Sequence, residues 1–244
     1  MRRAPRAFLI WLLALVVTRI AAAAAVAAAP IVLFDSAHHE HRFERPPQRI
    51  ASLLPSLTET VCALEECDRL VAVDRYSNWP TSVAHLPKAG GLEDVEVEQI
   101  VRARPDVVLL AHEPRVEERL RSLGLVVFEF DTETYADIGR NISTIGALLS
   151  VPDRAARLNR QISRSVEEVA LATRKRLGGR APRVYFEVDP TPYGAGPQSF
   201  IGGLLRLAGA HNIITSALGP FPKLNPEYVV RADPDIIFAS LADA

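Results

Sequence analysis

Short apolar runs alternate along the chain with segments in which apolar residues recur every three or four positions. Buried strands are predicted by the apolar runs at residues 49–54, 70–73, 107–110, 125–130, 183–188 and 212–214. Amphipathic helices are predicted by the periodic segments at residues 56–64, 95–102, 116–123, 135–149 and 199–207. Ser56 and Glu59 have the spacing of a capping box at the start of the first helix. Strands and helices that alternate in this way are typical of βα units, so we expect mainly parallel sheets.

Residues 152–176 have a different character. They contain no Gly and no Pro after Pro152, and their apolar residues keep a helical spacing among Arg and Glu. One long amphipathic helix is predicted, with Pro152 in its first turn and Gly178-Gly179 after its end. A coiled-coil dimer is the alternative, but the apolar repeat does not hold a strict heptad over several turns.

One phrase occurs twice in the chain. "EQIVRARPDVVLLA" begins at Glu98 and "EYVVRADPDIIFAS" begins at Glu227. Each reads as a helix, a Pro-Asp turn and a strand, and we expect the Pro-Asp pairs to be structural. The period is far longer than that of a solenoid repeat, which indicates duplication of a whole lobe. The predicted fold class is therefore α/β, with two Rossmann-like lobes of mainly parallel sheet joined by one long backbone helix.

The predicted organisation follows from these elements. A signal peptide, an N-terminal lobe, an interlobe helix and a C-terminal lobe are expected at residues 1–29, 30–150, 151–178 and 179–244. The first copy of the phrase is followed by two more helices and a strand, whereas the second copy is followed by the end of the sequence. We therefore expect an incomplete second lobe with an open sheet edge.

The amino terminus has the pattern of a secretory leader. Three arginines precede an apolar run at residues 7–18, and the Ala-rich residues 21–29 offer A-x-A cleavage sites. A transmembrane anchor is the alternative, but Arg19 ends the run well short of the roughly 20 residues that a spanning helix needs. A cleavable Sec-type signal and a periplasmic location are predicted, and a lipid anchor is not expected because no Cys lies near the cleavage region.

Composition and motifs exclude several classes of function. Without the four arginines of the leader, the 28 basic residues fall to 24 against 29 acidic residues, and this excess of negative charge argues against nucleic-acid binding. The common catalytic signatures are absent, so an enzyme is not expected. A secreted α/β hydrolase remains as an alternative, with Ser77 and His112 as the candidate nucleophile and base.

The cysteines and a histidine cluster receive structural interpretations. Cys62 and Cys67 are the only cysteines, and five helical steps would separate their side chains by about 140°. Two buried apolar side chains are favoured over a local disulfide, which an oxidising compartment would permit. Two side chains on one face of residues 38–41, such as His39 and His41, could chelate a metal, but an exposed polar hairpin tip is favoured. No metal site is predicted.

Candidate ligand contacts lie in the loops after the strands, because ligands of open α/β sheets bind beyond the carboxyl ends of the strands. Aromatic and polar residues occupy these loops in both halves of the chain. In chain order they are Tyr76, Trp79, His112, Asp189, Tyr193 and Phe221. A cleft lined by aromatic side chains suits a large, flat and partly apolar ligand.

Several segments, in their order, resemble a known family. They are "PPQRIASLLPSLTETVCAL", "LVAVDRYSNWP", "LPKAGG", "EQIVRARPDVVLLA" and "RVYFEV". From about residue 34 onward the chain is similar to the helical-backbone periplasmic substrate-binding proteins of ABC importers, which serve cobalamin, ferric siderophores, haem and some metals. The order R-I-x-S-L-x-P-S-x-T-E and then Y-S-N-W-P looks most like the vitamin B12-binding branch.

The resemblance implies a non-enzymatic receptor, monomeric when free and without a cofactor of its own, that binds a corrinoid or another metal chelate. Its partners would be an ABC permease and the ATPase subunits of that importer. A ferric siderophore or haem is the alternative ligand. The predicted rim offers only Arg75 and Lys223 to an anionic siderophore, which places the corrinoid first.

The resemblance also assigns roles to residues. The loop of Tyr76 and Trp79 resembles the loop that packs on the corrin ring, and Asp189, Tyr193 and Phe221 resemble contacts from the second lobe. His112 matches a ligand contact, either through coordination of a metal centre or through a hydrogen bond to a ligand amide. Glu59 resembles the acid of the first lobe that docks to the permease. Gly202 and Gly203 stand where the second lobe is expected to carry its docking acid.

Overall fold

A β-hairpin precedes the first sheet. Strands β1 (Ile31–Phe34) and β2 (Glu40–Phe43) pair antiparallel. His41 of β2 is buried, and its ring lies 4.7 Å from that of Phe128 between centroids, so the predicted exposed tip is wrong for this histidine. The computed structural model describes the chain at residues 29–91, 94–189 and 192–239. The predicted signal peptide lies outside the described residues except for Ala29.

The first sheet is wholly parallel, in the order β4-β3-β5-β6. Its strands are β3 (Ile50–Ser52), β4 (Leu70–Val73), β5 (Val107–Ala111) and β6 (Val127–Phe130). Its helices are α1 (Pro55–Ala63), α2 (Val97–Ala103), α3 (Pro114–Ser122) and α4 (Tyr135–Leu148). Each of these elements was predicted, with small shifts at the ends. The hairpin, this sheet and these helices make up the first lobe.

The central strand β5 shows why the apolar runs are continuous. Val107 and Leu109 pack in a cluster with residues of α1 and α4, and Val108 and Leu110 pack in a second cluster with residues of α2 and α3. Successive side chains of a strand point to opposite faces, so a strand covered on both faces needs apolar residues at every position. The sheet is therefore the middle layer of an α/β/α arrangement.

Helix α5 (Pro152–Arg176) has the predicted bounds. Its first turns pack against α4 at a point where only glycine fits, because a Cβ atom on Gly146 would lie 2.4 Å from the Cβ atom of Ala155. Further along, Val169 and Leu171 are exposed. Among the described helices, none is long and apolar enough to cross a membrane.

The second sheet has β7 (Arg183–Asp189) at its centre. Strand β7 pairs in parallel with β9 (His211–Asn212) and β10 (Ile236–Phe238), and antiparallel with β8 (Tyr193–Gly194). Helices α6 (Phe200–Leu207) and α7 (Pro226–Ala232) also belong to this second lobe. Its core is small and consists of Tyr185, Ile213, Ile214 and Leu224.

The repeated phrase forms the same local structure in both lobes. Helices α2 and α7 both end at a residue with positive φ, Arg104 at 46° and Asp233 at 43°. The carboxylate of Asp106 then accepts hydrogen bonds from the backbone N of Gln48 and Arg49, at 2.7 and 3.0 Å. Asp235 accepts the equivalent bond from the backbone N of Arg183 at 2.7 Å. Each aspartate is structural, because it ties the start of its own strand, β5 or β10, to the start of the neighbouring strand, β3 or β7.

Two local predictions about α1 are wrong. The helix begins at Pro55, with Leu54 as a cap residue that makes no side-chain cap bond, so Ser56 and Glu59 form no capping box. Proline suits the first helical position because its fixed φ is already helical and its missing N–H has no partner to lose there.

Cys62 and Cys67 form a disulfide, with Cα atoms 4.2 Å apart, and are not two separate apolar side chains. The geometric objection assumed a continuous helix. Helix α1 instead ends at Ala63, and Glu65 adopts a φ of 63°, which turns the chain back towards Cys62.

Candidate functional site

The loop after β4 presents two exposed aromatic side chains, those of Tyr76 and Trp79. The guanidinium of Arg75 lies 6.0 Å from the centre of the Tyr76 ring and is also paired with Asp94. A hydrogen bond from the backbone N of Gly91, followed by the contact with Arg75, lowers the pKa of Asp94. Arg75 therefore already has a carboxylate partner, which leaves it less suited to bind an anionic ligand.

A chain of buried polar groups holds this loop in place. The Asp74 carboxylate accepts hydrogen bonds from the backbone N of Tyr76, at 2.8 Å, and from Ser77 Oγ. Ser77 Oγ lies 2.9 Å from Thr58 Oγ1, which lies 2.8 Å from Ser52 Oγ. All four polar side chains are almost fully buried. The chain thus links strand β3, helix α1 and the aromatic loop, and buried bonds of this kind are costly to break.

His112 follows β5 at the carboxyl edge of the first sheet. Its Nδ1 lies 3.0 Å from Oε1 of Glu129 on β6, and the two side chains are 62% and 3% exposed. Burial raises the pKa of Glu129, and the nearby Glu117 raises it further, while His112 opposes both. Arg121 Nε donates to Glu117 at 2.8 Å.

Sequence reasoning missed Glu129. The signal was present, because Glu129 is an acidic residue in a run that predicts a strand buried on both faces. A carboxylate at such a position requires a polar partner.

The three predicted residues of the second lobe lie close together. Asp189 pairs with Tyr193 across β7 and β8, and Tyr193 forms an antiparallel bridge with Lys223. The neighbouring Gly194 donates its backbone N–H to Pro222 O at 3.0 Å, which places Phe221 beside this hairpin. Tyr193 and Phe221 are both exposed. The structure therefore groups the predicted site residues by lobe, with aromatic side chains exposed on each.

Glu59 is exposed on α1, beside an apolar groove with a volume of about 430 Å³. The groove runs between α1, α4 and α5 and is lined by Cys62, Ala63, Trp79, Pro80, Ile138, Ile142, Leu158 and Ile162, with Ser56, Glu59 and Thr60. Trp79 therefore contributes both to the aromatic loop and to the wall of this groove.

The histidine cluster makes contacts with protein groups. His41 Nε2 and His39 Nδ1 lie 2.9 and 3.2 Å from Oδ2 of Asp35. Burial alone would raise the pKa of Asp35, but the hydrogen bonds from His41 and His39 hold it below its usual value. Within the described ranges, no group of three His, Cys, Asp or Glu side chains could hold a metal ion.

Residues 50–242 match the family model described as periplasmic binding protein, and the chain belongs to this family. A cobalamin-binding protein of Halobacterium salinarum is 30% identical over 220 residues, which cover 87% of this chain and 59% of the relative. The chain thus spans about three-fifths of the length of that relative.

Solved structures show the same fold. The periplasmic vitamin B12 binding protein BtuF of Vibrio cholerae aligns with a TM-score of 0.65 and 25% identity, over 80% of this chain and 77% of the other. A periplasmic heme binding protein of Pseudomonas aeruginosa aligns with a TM-score of 0.67 and 27% identity, over 78% and 71%. These neighbours have the predicted α/β fold.

The family consists of binding proteins and not of enzymes, as predicted. The structure also speaks against the hydrolase alternative. Ser77 is buried, and its hydroxyl is bonded to Asp74 and lies 2.9 Å from Thr58 Oγ1. The candidate nucleophile is therefore not presented to a substrate.

Proposed function

We propose that this protein is the substrate-binding component of an ABC importer and that it binds a corrinoid between its two lobes. The observation that carries the proposal is the pair of exposed aromatic groups, Tyr76 with Trp79 in the loop after β4 of the first lobe and Tyr193 of β8 with Phe221 in the second lobe. Stacking between two such groups suits a flat, largely apolar macrocycle. The cobalamin-binding relatives and the solved B12-binding neighbour support this ligand class.

Haem is the second candidate, because it is also a flat metal chelate and a heme binding protein is among the structural neighbours. A ferric siderophore is less favoured, since Arg75 is already paired with Asp94.

Ligand titration tests the proposal. Trp79 is the only tryptophan after the predicted leader, so quenching of its emission reports directly on the aromatic loop. We expect cyanocobalamin to quench it at micromolar concentration, with free N-acetyltryptophanamide as the control for absorbed light. If only haem binds, or only a ferric siderophore, then that compound and not a corrinoid is the ligand of this protein. No binding of any of the three would contradict the proposal.

Two substitutions test whether both lobes contact the ligand. Loss of one stacking contact costs about 1 kcal/mol, so Trp79→Ala and Phe221→Ala should each weaken cyanocobalamin binding several-fold in equilibrium dialysis. Trp79→Phe keeps a ring and should weaken it less. If only the substitution in the first lobe weakens binding, the ligand is held by one lobe and not between two.

The proposed partner is an ABC permease with its ATPase. We infer that the predicted Sec-type leader directs this protein out of the cytoplasm, where it passes its ligand to the permease. Edman sequencing of the exported protein should find a mature amino terminus within or next to residues 21–29. A full-length amino terminus would contradict the cleaved leader.

Glu59 is the proposed docking acid of the first lobe. In cells that lack their own copy of this protein, Glu59→Ala should reduce uptake of labelled cyanocobalamin without changing its dissociation constant. Glu118→Ala, which removes an exposed acid from α3, is the matched control. Equal uptake by both variants would show that Glu59 does not dock.

A further inference from the structure

His112 stands between two different environments. Its side chain is 62% exposed at the carboxyl edge of the first sheet, while its partner Glu129 is 3% exposed. The contact joins Nδ1 of the imidazole to Oε1 of the carboxylate at 3.0 Å. When Glu129 is ionised its carboxylate only accepts, so in that state Nδ1 carries the hydrogen and the neutral ring keeps its lone pair on Nε2.

Glu129 is held firmly enough to set the orientation of the ring. Strand register pairs Glu129 with Leu110, two residues before His112, so both partners are attached to adjacent strands of the sheet. The second oxygen of Glu129 is buried, and within the described part of the chain it has no hydrogen-bond partner. Arg121 holds the neighbouring Glu117. The hydrogen bond with His112 therefore stabilises the charged form of this carboxylate, against the opposing effect of Glu117.

A buried carboxylate behind an imidazole is the arrangement that proteins use to orient a histidine that binds a metal, because the carboxylate fixes the tautomer and makes the free nitrogen more basic. One histidine cannot hold a bare ion. It can supply one axial bond to a metal that already has four equatorial ligands, as cobalt has in a corrin and iron in a porphyrin.

We propose that His112 Nε2 is an axial ligand for metal-centred planar macrocycles and that Glu129 is its positioning residue. The inference rests on the proposed function and narrows its ligand class to macrocycles with an exchangeable axial position. The step is a ligand exchange. Water leaves cobalt(III), the Nε2 lone pair takes its place, and neither the oxidation state nor the number of protons changes.

Two corrinoids that differ at the axial position test this inference. Aquocobalamin has an exchangeable water and cyanocobalamin has a bound cyanide in its place. With the intact exported protein we expect the visible spectrum of aquocobalamin to shift as it does with free imidazole, and the spectrum of cyanocobalamin to stay unchanged. Aquocobalamin should also bind about 10-fold or more tightly than cyanocobalamin.

His112→Phe keeps a flat ring and removes the lone pair. It should abolish the spectral shift and the preference for aquocobalamin, so that this variant binds both corrinoids with similar affinity. Ferric protoporphyrin is the second probe, and its Soret band should lose the signature of an imidazole ligand in the same variant.

Glu129 is tested by a graded pair of variants. Removal of such a partner costs about 10–100-fold in metal affinity, so Glu129→Ala should weaken aquocobalamin binding by that factor relative to cyanocobalamin binding. Glu129→Gln can still accept from Nδ1–H and should lie between the wild type and Glu129→Ala. A purely structural role would weaken both corrinoids equally, and thermal unfolding of each variant shows whether it is folded.

The two proposals fail in different ways. If aquocobalamin and ferric protoporphyrin bind the wild type without any axial spectral change, the His112 inference is overturned while the binding function stands. If the His112→Phe variant keeps the shift, another residue is the ligand. If none of the three macrocycles binds, the proposed function and this inference fall together.

Discussion

In the first lobe the repeated phrase ends in β5, and in the second lobe it ends in β10. Both copies share the helix, the residue with positive φ and the aspartate that bonds to the start of the neighbouring strand. Their surroundings differ. Val108 is fully buried, whereas the equivalent Ile237 is 58% exposed. Strand β5 lies between β3 and β6, while β10 pairs with β7.

The comparison separates two kinds of information in one stretch of sequence. The turn depends on groups within the phrase. The tether formed by the aspartate needs in addition only a backbone N–H at the start of the neighbouring parallel strand, which both lobes supply, so both copies form it. Burial depends on what packs against the strand, and the phrase does not encode that. The same apolar residues therefore stabilise one lobe strongly and leave an apolar surface on the other.

The largest difference in stability is expected when the equivalent residues Leu109 and Phe238 are each replaced by alanine. Leu109 is fully buried, so Leu109→Ala should lower the free energy of unfolding by about 2–5 kcal/mol. Phe238 is 47% exposed and stacks on Phe186 with ring centres 5.7 Å apart, so Phe238→Ala should cost about 1 kcal/mol. Urea unfolding measures both. Equal losses would mean that β10 is covered in solution.

The next test concerns how each lobe holds its aromatic loop. In the first lobe Thr58 is the middle of a buried chain of side chains, so Thr58→Val removes its two buried hydrogen bonds, to Ser52 and to Ser77, and should cost about 1–3 kcal/mol. The emission of Trp79 should also change. Thr58→Ser keeps the hydroxyl and is the matched control.

The second lobe holds its loop by backbone pairing between Tyr193 and Lys223. Tyr193→Phe removes one exposed hydroxyl and should leave stability nearly unchanged. A loss as large as that of Thr58→Val would show that side chains also hold this loop.

Much of the fold was predictable because the spacing of apolar residues along the sequence determines where most helices and strands form. The long helix had its bounds predicted at Pro152 and Arg176, and β4 at Leu70 and Val73, since each is set by an uninterrupted pattern between turn residues. The disulfide was missed because it depends on where α1 ends. That end is set by the turn at Glu65, which no periodic pattern marks.

The site was predictable as a set of loops but not as a set of contacts. The positions of Tyr76, Trp79 and His112 follow from the rule that ligands bind beyond strand ends. Glu129 and Asp74 could not be assigned as their supports, because Glu129 meets His112 only through pairing of β5 with β6 and Asp74 contacts Thr58 only through Ser77. Long-range pairing selects such partners.

A smaller loss of stability is expected from removing Asp106 or Asp235, the aspartates that bond to the start of the neighbouring strand. Asp106 accepts two backbone hydrogen bonds and Asp235 accepts one from Arg183. Asp106→Ala should therefore cost about 2 kcal/mol and Asp235→Ala about 1 kcal/mol in urea unfolding. Asparagine at either position keeps an acceptor oxygen and should recover part of the loss. A larger loss at Asp235 than at Asp106 would contradict the count of bonds.

The smallest expected effect is a difference between the lobes in how the stability of a helix cap depends on pH. Helix α4 is capped by Thr134 and Asp137, whereas α6 is capped by the hydroxyl of Ser199. Burial would raise the pKa of Asp137, but hydrogen bonds from Thr134 lower it below its usual 3.8. A carboxylate with a lowered pKa in the folded state stabilises fully above its unfolded pKa, and this contribution is lost as pH falls through the folded pKa.

Asp137→Asn and Ser199→Ala should each cost about 1 kcal/mol at pH 7. The cost of Asp137→Asn should stay constant from pH 7 down to the usual carboxyl pKa of 3.8 and shrink below it, because the folded-state pKa lies lower still and the wild-type carboxylate loses its advantage as it becomes protonated. The cost of Ser199→Ala should stay constant, since a serine hydroxyl does not titrate in this range. Thermal unfolding of both variants and the wild type across these pH values measures the difference. Parallel pH profiles for the two variants would show that Asp137 contributes through its geometry alone and not through its charge.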